Sequence, residues 1–236
     1  MGAAHIVRSF DQELGALRDL LMEMASLAEH ELESALKALE TRDAVAAAAA
    51  AASDAAVNKQ EHLIDNLAVS LIARRQPMAN DLRTIVAGLR ISTDLERIGD
   101  YAKSLANHSV TLAGIEPVGV EPAIVKLGAK VMGLLRASIN AYVRANADEA
   151  LAVRAGDVAI DQAYSEVFRT LLNLNTQDAA RTSACVHLIL VARALERIGD
   201  HATNIGEHVL FAITGGTPAE NRPKADRTAF MTAETS

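Results

Sequence analysis

Tryptophan is missing from this 236-residue chain, aromatic residues make up only 3% of it, and cysteine occurs once, at Cys185. One cysteine excludes an internal disulfide, so the fold must rest on packing alone. With half the residues hydrophobic and so few aromatic, the core is expected from Ala, Leu, Ile and Val, which favours close-packed helices. Five prolines and thirteen glycines are too few for a sandwich or barrel, which needs a turn roughly every 8–12 residues. Long apolar runs are also lacking. The longest uncharged apolar run is Ala44 to Ala52, well short of the ~18 residues of a membrane span, and Met1 to Phe10 has no apolar segment of a secretory signal. A cytoplasmic protein, peripheral at most to a membrane, is the expectation. Basic excess is absent too: the net charge is -7 and the pI about 5.5, which argues against nucleic acid as a partner. Cations or basic protein surfaces fit better.

What is present is helical periodicity. Leu14, Leu17, Leu21, Met24, Ala28, Leu32, Ala35 and Leu39 step by three or four, predicting one long helix from Phe10 to about Arg42. Ser9, with Gln12 three residues on, matches a capping box at its start. Asp43 then caps a second helix that runs to Arg75 through seven consecutive alanines, Ala46 to Ala52, and ends before Pro77. A third is expected from Asn80 to Leu112. Gly114, Pro117, Gly119 and Pro122 mark a linker, after which helices are expected over 122–146, 148–174 and 178–213.

The strongest signal is an internal repeat. Leu95-Glu-Arg-Ile-Gly-Asp100 recurs as Leu195-Glu-Arg-Ile-Gly-Asp200, and Asp54-Ala-Ala-Val-Asn58 resembles Asp157-Val-Ala-Ile-Asp161. A duplicated three-helix unit follows: 1–113 as the first bundle, 114–121 as linker, 122–214 as the second bundle and 215–236 as a disordered tail. The fold class is therefore all-α, two tandem three-helix bundles related by internal duplication and pseudo-twofold symmetry.

In each third helix the core stripe, Ile91, Leu95, Ile98, Ala102, Leu105 and its copy Val191, Leu195, Ile198, Ala202, Ile205, is flanked by a polar one. Glu96, Asp100, Lys103 and Asn107 correspond to Glu196, Asp200, Thr203 and Glu207. Carboxylates at i and i+4 share a face and repel, which calls for a cation. The second helices carry Asp54, Asn58, Glu61 and Asp65 in one unit and Asp157 and Asp161 in the other, before that stripe turns aromatic at Tyr164 and Phe168. If the stripes meet, three or four carboxylates converge, and such hard oxygen donors suit Mg, Ca, Mn or iron better than a structural zinc. The plain alternative is a solvated acidic face neutralised by Arg97 and Arg197. His108, His208, His201 and Cys185 are weaker candidates, Cys185 being read as a small buried hydrophobe. No phosphate loop, nucleophile elbow or Glu-x-x-His pair is visible.

Ala73-Arg-Arg-Gln-Pro77, Asn80-Asp-Leu-Arg83, Asp94-Leu-Glu-Arg-Ile-Gly-Asp100 and the stretch Ala194 to Glu207 together resemble the PhoU family of phosphate-uptake regulators over about Val7 to Thr214. The resemblance implies two side-by-side three-helix bundles. It implies metal binding by Glu96, Asp100, Glu196, Asp200, Asp157, Asp161 and Asp54, with Asn58, Glu61, Asp65, Asn204 and Glu207 as auxiliary ligands, and an ion that is iron, Mn, Mg or Zn. Asn58 departs from the pattern, standing where the family has an acid, and Ser104 and Asn107 replace the Asn204 and Glu207 of the second unit. The implied role is a cytoplasmic, homodimeric, non-enzymatic adaptor between the ATPase of a phosphate ABC transporter and a phosphate-sensing histidine kinase, restraining both when phosphate is plentiful. A metal-dependent enzyme and a metal-free helical scaffold are the alternatives. A second metal site tighter than the first is expected, since Asn58 removes one ligand charge.

Overall fold

The computed structural model describes residues 2–52, 55–174, 179–216 and 224–231. Seven α-helices account for nearly all of them: α1 Gly2–Thr41, α2 Ala44–Ala51, α3 Ala55–Arg75, α4 Asn80–Ala113, α5 Glu121–Arg144, α6 Ala147–Leu174 and α7 Ala179–Thr214, followed by a 3-10 turn, Thr228–Phe230. The apolar stripe of α1 forms the first core, with Leu17, Leu21, Met24, Ala28, Leu32, Ala35 and Leu39 all buried. Burying each of the larger aliphatic side chains contributes about 1.5–3 kcal/mol. In α4 and α7 the duplicated core stripe, from Ile91 to Leu105 and from Val191 to Ile205, is buried throughout.

Helix boundaries fall within two residues of those expected, with two departures. Ser9 does not cap α1, because the helix begins upstream and Ser9 lies inside it. The second helix is broken: α2 ends at Ala51, Ala52 turns its N–H back to the Ala49 and Ala50 carbonyls, and α3 begins at Ala55. An all-alanine segment has high helix propensity but few side-chain atoms with which to record where packing interrupts it. Asp43 does cap, its Oδ1 accepting from Val45 and Ala46 N at 2.9 Å each.

The two bundles meet along α4 and α7, with α1 against α5. Both pairs run antiparallel. His108 lies beside His187 and Asp94 beside His208, while Arg18 donates to the Val143 carbonyl at 2.6 Å and Arg136 pairs with Glu29 at 3.1 Å. This is the pseudo-twofold arrangement, with α2 and α3 outside one half and α6 outside the other. The glycine of each repeated hexapeptide permits the close approach of that outer layer. A Cβ on Gly99 would lie 3.5 Å from Val57 Cγ1 on α3, and one on Gly199 would lie 3.1 Å from Ile160 Cδ1 on α6.

Of the tail expected to be disordered over 215–236, residues 217–223 and 232–236 lie outside the described residues. Residues 224–231 lie against α6 and α7, held by main-chain and charged contacts described below. Polar anchoring of this kind leaves no apolar period for a sequence to reveal.

Candidate metal centre

The α3 stripe faces α4 and the α6 stripe faces α7, so each half gathers acids on its outer seam. In the first half Asp54 lies outside the described residues. Glu61 and Glu96 are partly buried and close enough to repel. Burial first, then Asp100, pushes the Glu96 carboxyl up, with Glu61 adding to it; burial and Asp65 do the same to Glu61. Asp65 itself is exposed. Arg97 bridges the pair at 3.5 Å to Glu96 and 3.6 Å to Asp100. Asn58 Oδ1 is buried and has no hydrogen-bond partner among the described residues.

In the second half Asp157, Asp161, Glu196 and Asp200 are all buried. Burial, then Asp200, raises the Glu196 carboxyl to about 7 against the pull of Arg193, Arg197 and Lys224. The guanidiniums sit 3.4 and 3.7 Å from Glu196 Oε2, yet that oxygen accepts no hydrogen bond, which is why desolvation prevails. Arg197 also reaches Asp200 at 3.3 Å. Thr203 Oγ1 donates to Asp157 Oδ1 at 3.4 Å. Asp161 Oδ2 accepts from Ala225 N at 2.7 Å and Asp226 N at 3.3 Å, while its Oδ1 is buried without a partner; burial, countered by these donors, raises its carboxyl. Lys224 pairs with Asp200.

Two expected auxiliary ligands point elsewhere. Glu207 binds Arg154 at 3.2 Å, and Asn204 Nδ2 donates to Asp94 Oδ1 at 3.2 Å across the bundle interface. Asp94 also takes His201 Nδ1 at 2.7 Å and His208 Nε2 at 3.0 Å. Burial opposes its charge, but these hydrogen bonds outweigh burial and lower its carboxyl. The cluster was discernible from the repeat: Asp94 has Ala194 as its copy and His201 has Tyr101, so two departures from the duplication meet at one point. His108 and His187 pair at 3.0 Å between Nδ1 atoms.

Hard-cation chemistry fits this donor set. Buried, unsatisfied oxygens on Asn58, Asp161 and Glu196 are costly unless a cation meets them. The donors are not preassembled, however: among the described residues no three acidic, histidine or cysteine side chains are gathered to hold one ion. Also among the described residues, no helix is long and apolar enough to cross a membrane.

The PhoU domain family matches residues 21–108 and 124–209, one match per half. The phosphate-specific transport system accessory protein PhoU homolog of Xylella fastidiosa is 41% identical over 95% of this chain and 93% of its own length. Its counterpart in Rhizobium meliloti is 36% identical over 98% of each. Among solved structures, PhoU from Pseudomonas aeruginosa covers 88% of this chain and 100% of its own with a TM-score of 0.84 at 35% identity. The phosphate transport system regulatory protein PhoU of Streptococcus pneumoniae, at 24% identity and a TM-score of 0.83, shares the fold.

Proposed function

The chain belongs to the PhoU family, and on that premise we propose that it is the accessory regulator of a phosphate-specific transport system, acting as an adaptor rather than an enzyme. In this reading it is a cytoplasmic homodimer that joins the transporter ATPase to a phosphate-sensing histidine kinase and restrains both when phosphate is plentiful. The observation that carries it is the match of the family domain to both halves separately, with relatives named as accessory proteins aligned over nearly the whole chain.

Divalent or trivalent ions, iron, Mn, Mg or Zn, belong to the same reading. Asp157, Asp161, Glu196 and Asp200 would hold one site, and Asp54, Glu96 and Asp100 the other, with Asn58, Glu61 and Asp65 as auxiliary ligands there. A bound cation would add to the positive charge of Arg97, Arg193 and Arg197 beside these acids and tie the outer helix of each half to its third helix. The protein's own contribution is a rigid seam. Core packing of Leu95 and Ile98, and of Leu195 and Ile198, fixes the register in which the acids of the third helix face the outer helix of their half.

Deleting the protein should leave phosphate uptake and the phosphate-responsive genes insensitive to external phosphate. Affinity capture from the native host at high and low phosphate should recover the transporter ATPase and the kinase. Normal repression in the deletion strain would sink the regulatory reading, and failure to capture either partner would sink the adaptor.

A further inference from the structure

The segment over the second carboxylate seam makes a specific set of contacts. Lys224 pairs its ammonium with Asp200, Ala225 and Asp226 donate their N–H groups to Asp161 Oδ2 at 2.7 and 3.3 Å, and Arg227 N reaches Ser165 Oγ at 3.4 Å. Asp226 accepts from Thr228 N at 2.9 Å and Thr228 Oγ1 at 2.7 Å, closing the 3-10 turn, and pairs with Arg193 at 3.3 Å. Arg193 is also a guanidinium partner of Glu196. The segment therefore brings one ammonium and two N–H dipoles to oxygens of Asp161 and Asp200, and draws on a third group that Glu196 uses.

The first half has no such dock. At the positions matching Asp161 and Arg193 it carries Asn58 and Thr93, so neither the charged acceptor nor the guanidinium anchor is there. Reach to the second half is sufficient. Seven residues lie between Gly216 and Lys224, a span of about 26–29 Å when extended, and α7 rises about 21 Å between Asp200 and its end at Thr214.

We propose that residues 224–231 are an intramolecular strap that holds the place of a cation in the second seam, so that tail docking and cation binding there are mutually exclusive. The proposal rests on the reading of the carboxylates as a cation site. Docking and metal ligation draw on the same Asp161 and Asp200 oxygens, and Asp161 Oδ1 and Glu196 Oε2, which accept no hydrogen bond, are oxygens that the strap leaves unused. The strap thus converts a second site richer in acids than the first into one whose apparent affinity is lowered by the fraction of time it is closed.

Calorimetric titration with Mn2+ of the cation-free full chain, of Lys224→Ala, of a chain truncated after Gly216 and of a chain with three residues deleted between 217 and 223 tests this. All three variants should bind Mn2+ more tightly at the second seam, by about tenfold if the strap is closed nine-tenths of the time, with the first seam unchanged. In the full chain, Mn2+ should speed amide exchange at Ala225 and Asp226, and Lys224→Ala should do so without it. Equal Mn2+ affinity in all four proteins, or exchange indifferent to Mn2+, would overturn the strap. No Mn2+ binding even by the truncated chain would instead remove the cation reading and the competition with it, and slow exchange at Ala225 would still show a docked tail.

Discussion

The hexapeptide Leu-Glu-Arg-Ile-Gly-Asp occurs in both halves of the molecule, yet it sits in two different electrostatic settings. In the first half the side chains of Glu96 and Asp100 are 18% and 43% exposed, whereas in the second those of Glu196 and Asp200 are 3% and 11% exposed. Glu196 is carried to about 7 by burial and by Asp200, while Glu96 rises from the same two causes in a seam that water still reaches. Duplication has preserved helical register and core packing, but the layer laid over the motif, α3 in one half and α6 with the tail in the other, decides what its carboxylates do. Identical sequence does not mean identical chemistry when the solvent differs.

The contrast between the halves should break most completely when the second seam loses its acids. In the tail-truncated chain two classes of Mn2+ site are expected, and Glu196→Ala with Asp200→Ala should abolish the tighter class. Far-UV circular dichroism should stay nearly unchanged, because Leu195, Ile198 and Ala202 keep the core. A single unchanged class would mean that the ligands lie elsewhere, and a lost helical signal that the acids support the core.

Cation-free stability should separate the halves next. Glu196 holds its proton in the folded state up to about 7, against 4.5 when unfolded, so between those values the native state binds more protons and stability falls as pH rises. The loss approaches about 3 kcal/mol at most by neutral pH. Denaturant melts from pH 4.5 to 7.5 should show the slope in the wild type, most of it lost in Glu196→Gln, and a smaller part lost in Glu96→Gln, whose carboxyl is raised in a more exposed seam.

Asp94 belongs to the first half but serves the second, since it accepts from His201, His208 and Asn204. Asp94→Ala should cost about 2–4 kcal/mol in equilibrium unfolding by stranding those donors. The reciprocal change at its copy, Ala194→Asp, finds Tyr101 in place of His201 and should give no compensating gain. The smallest effect expected is at Asn58. Asn58→Asp should restore the missing charge and strengthen the weaker Mn2+ class a few-fold, a change readable only by titration. Unaltered affinity would show that the first seam does not use this position.

Much of this architecture is legible in the amino-acid sequence. Residues such as Leu17, Leu21 and Met24 in α1, and the paired stripes through Leu95 and Leu195, carry the helical period because each buries its side chain in a core, and the repeat then dictates two similar units. The acids one position around from those stripes were equally visible. Interactions that depend on which surfaces meet between units were less so. The partnership of Asp94 with His208 spans two bundles whose mutual orientation no local period encodes, and the break after Ala51 falls in a run of identical side chains. The docking of Ala225 and Asp226 uses main-chain N–H groups, which every non-proline residue possesses and which therefore leave no trace in composition.

Gly199 has no side chain to offer a cation, yet it governs the gauge of the second seam. A methyl group there would sit 3.1 Å from Ile160 Cδ1 and 3.2 Å from Ile160 Cγ2, forcing α6 outward or Ile160 aside by a few tenths of an ångström. A cation held there, as proposed, would need oxygens within about 0.2 Å of its usual bond lengths, so the missing methyl would work as a machining tolerance on the distance between Asp157 and Asp161 on one helix and Glu196 and Asp200 on the other. On that account the glycine is a dimension of the seam, and the acids beside it have value only while that dimension is kept.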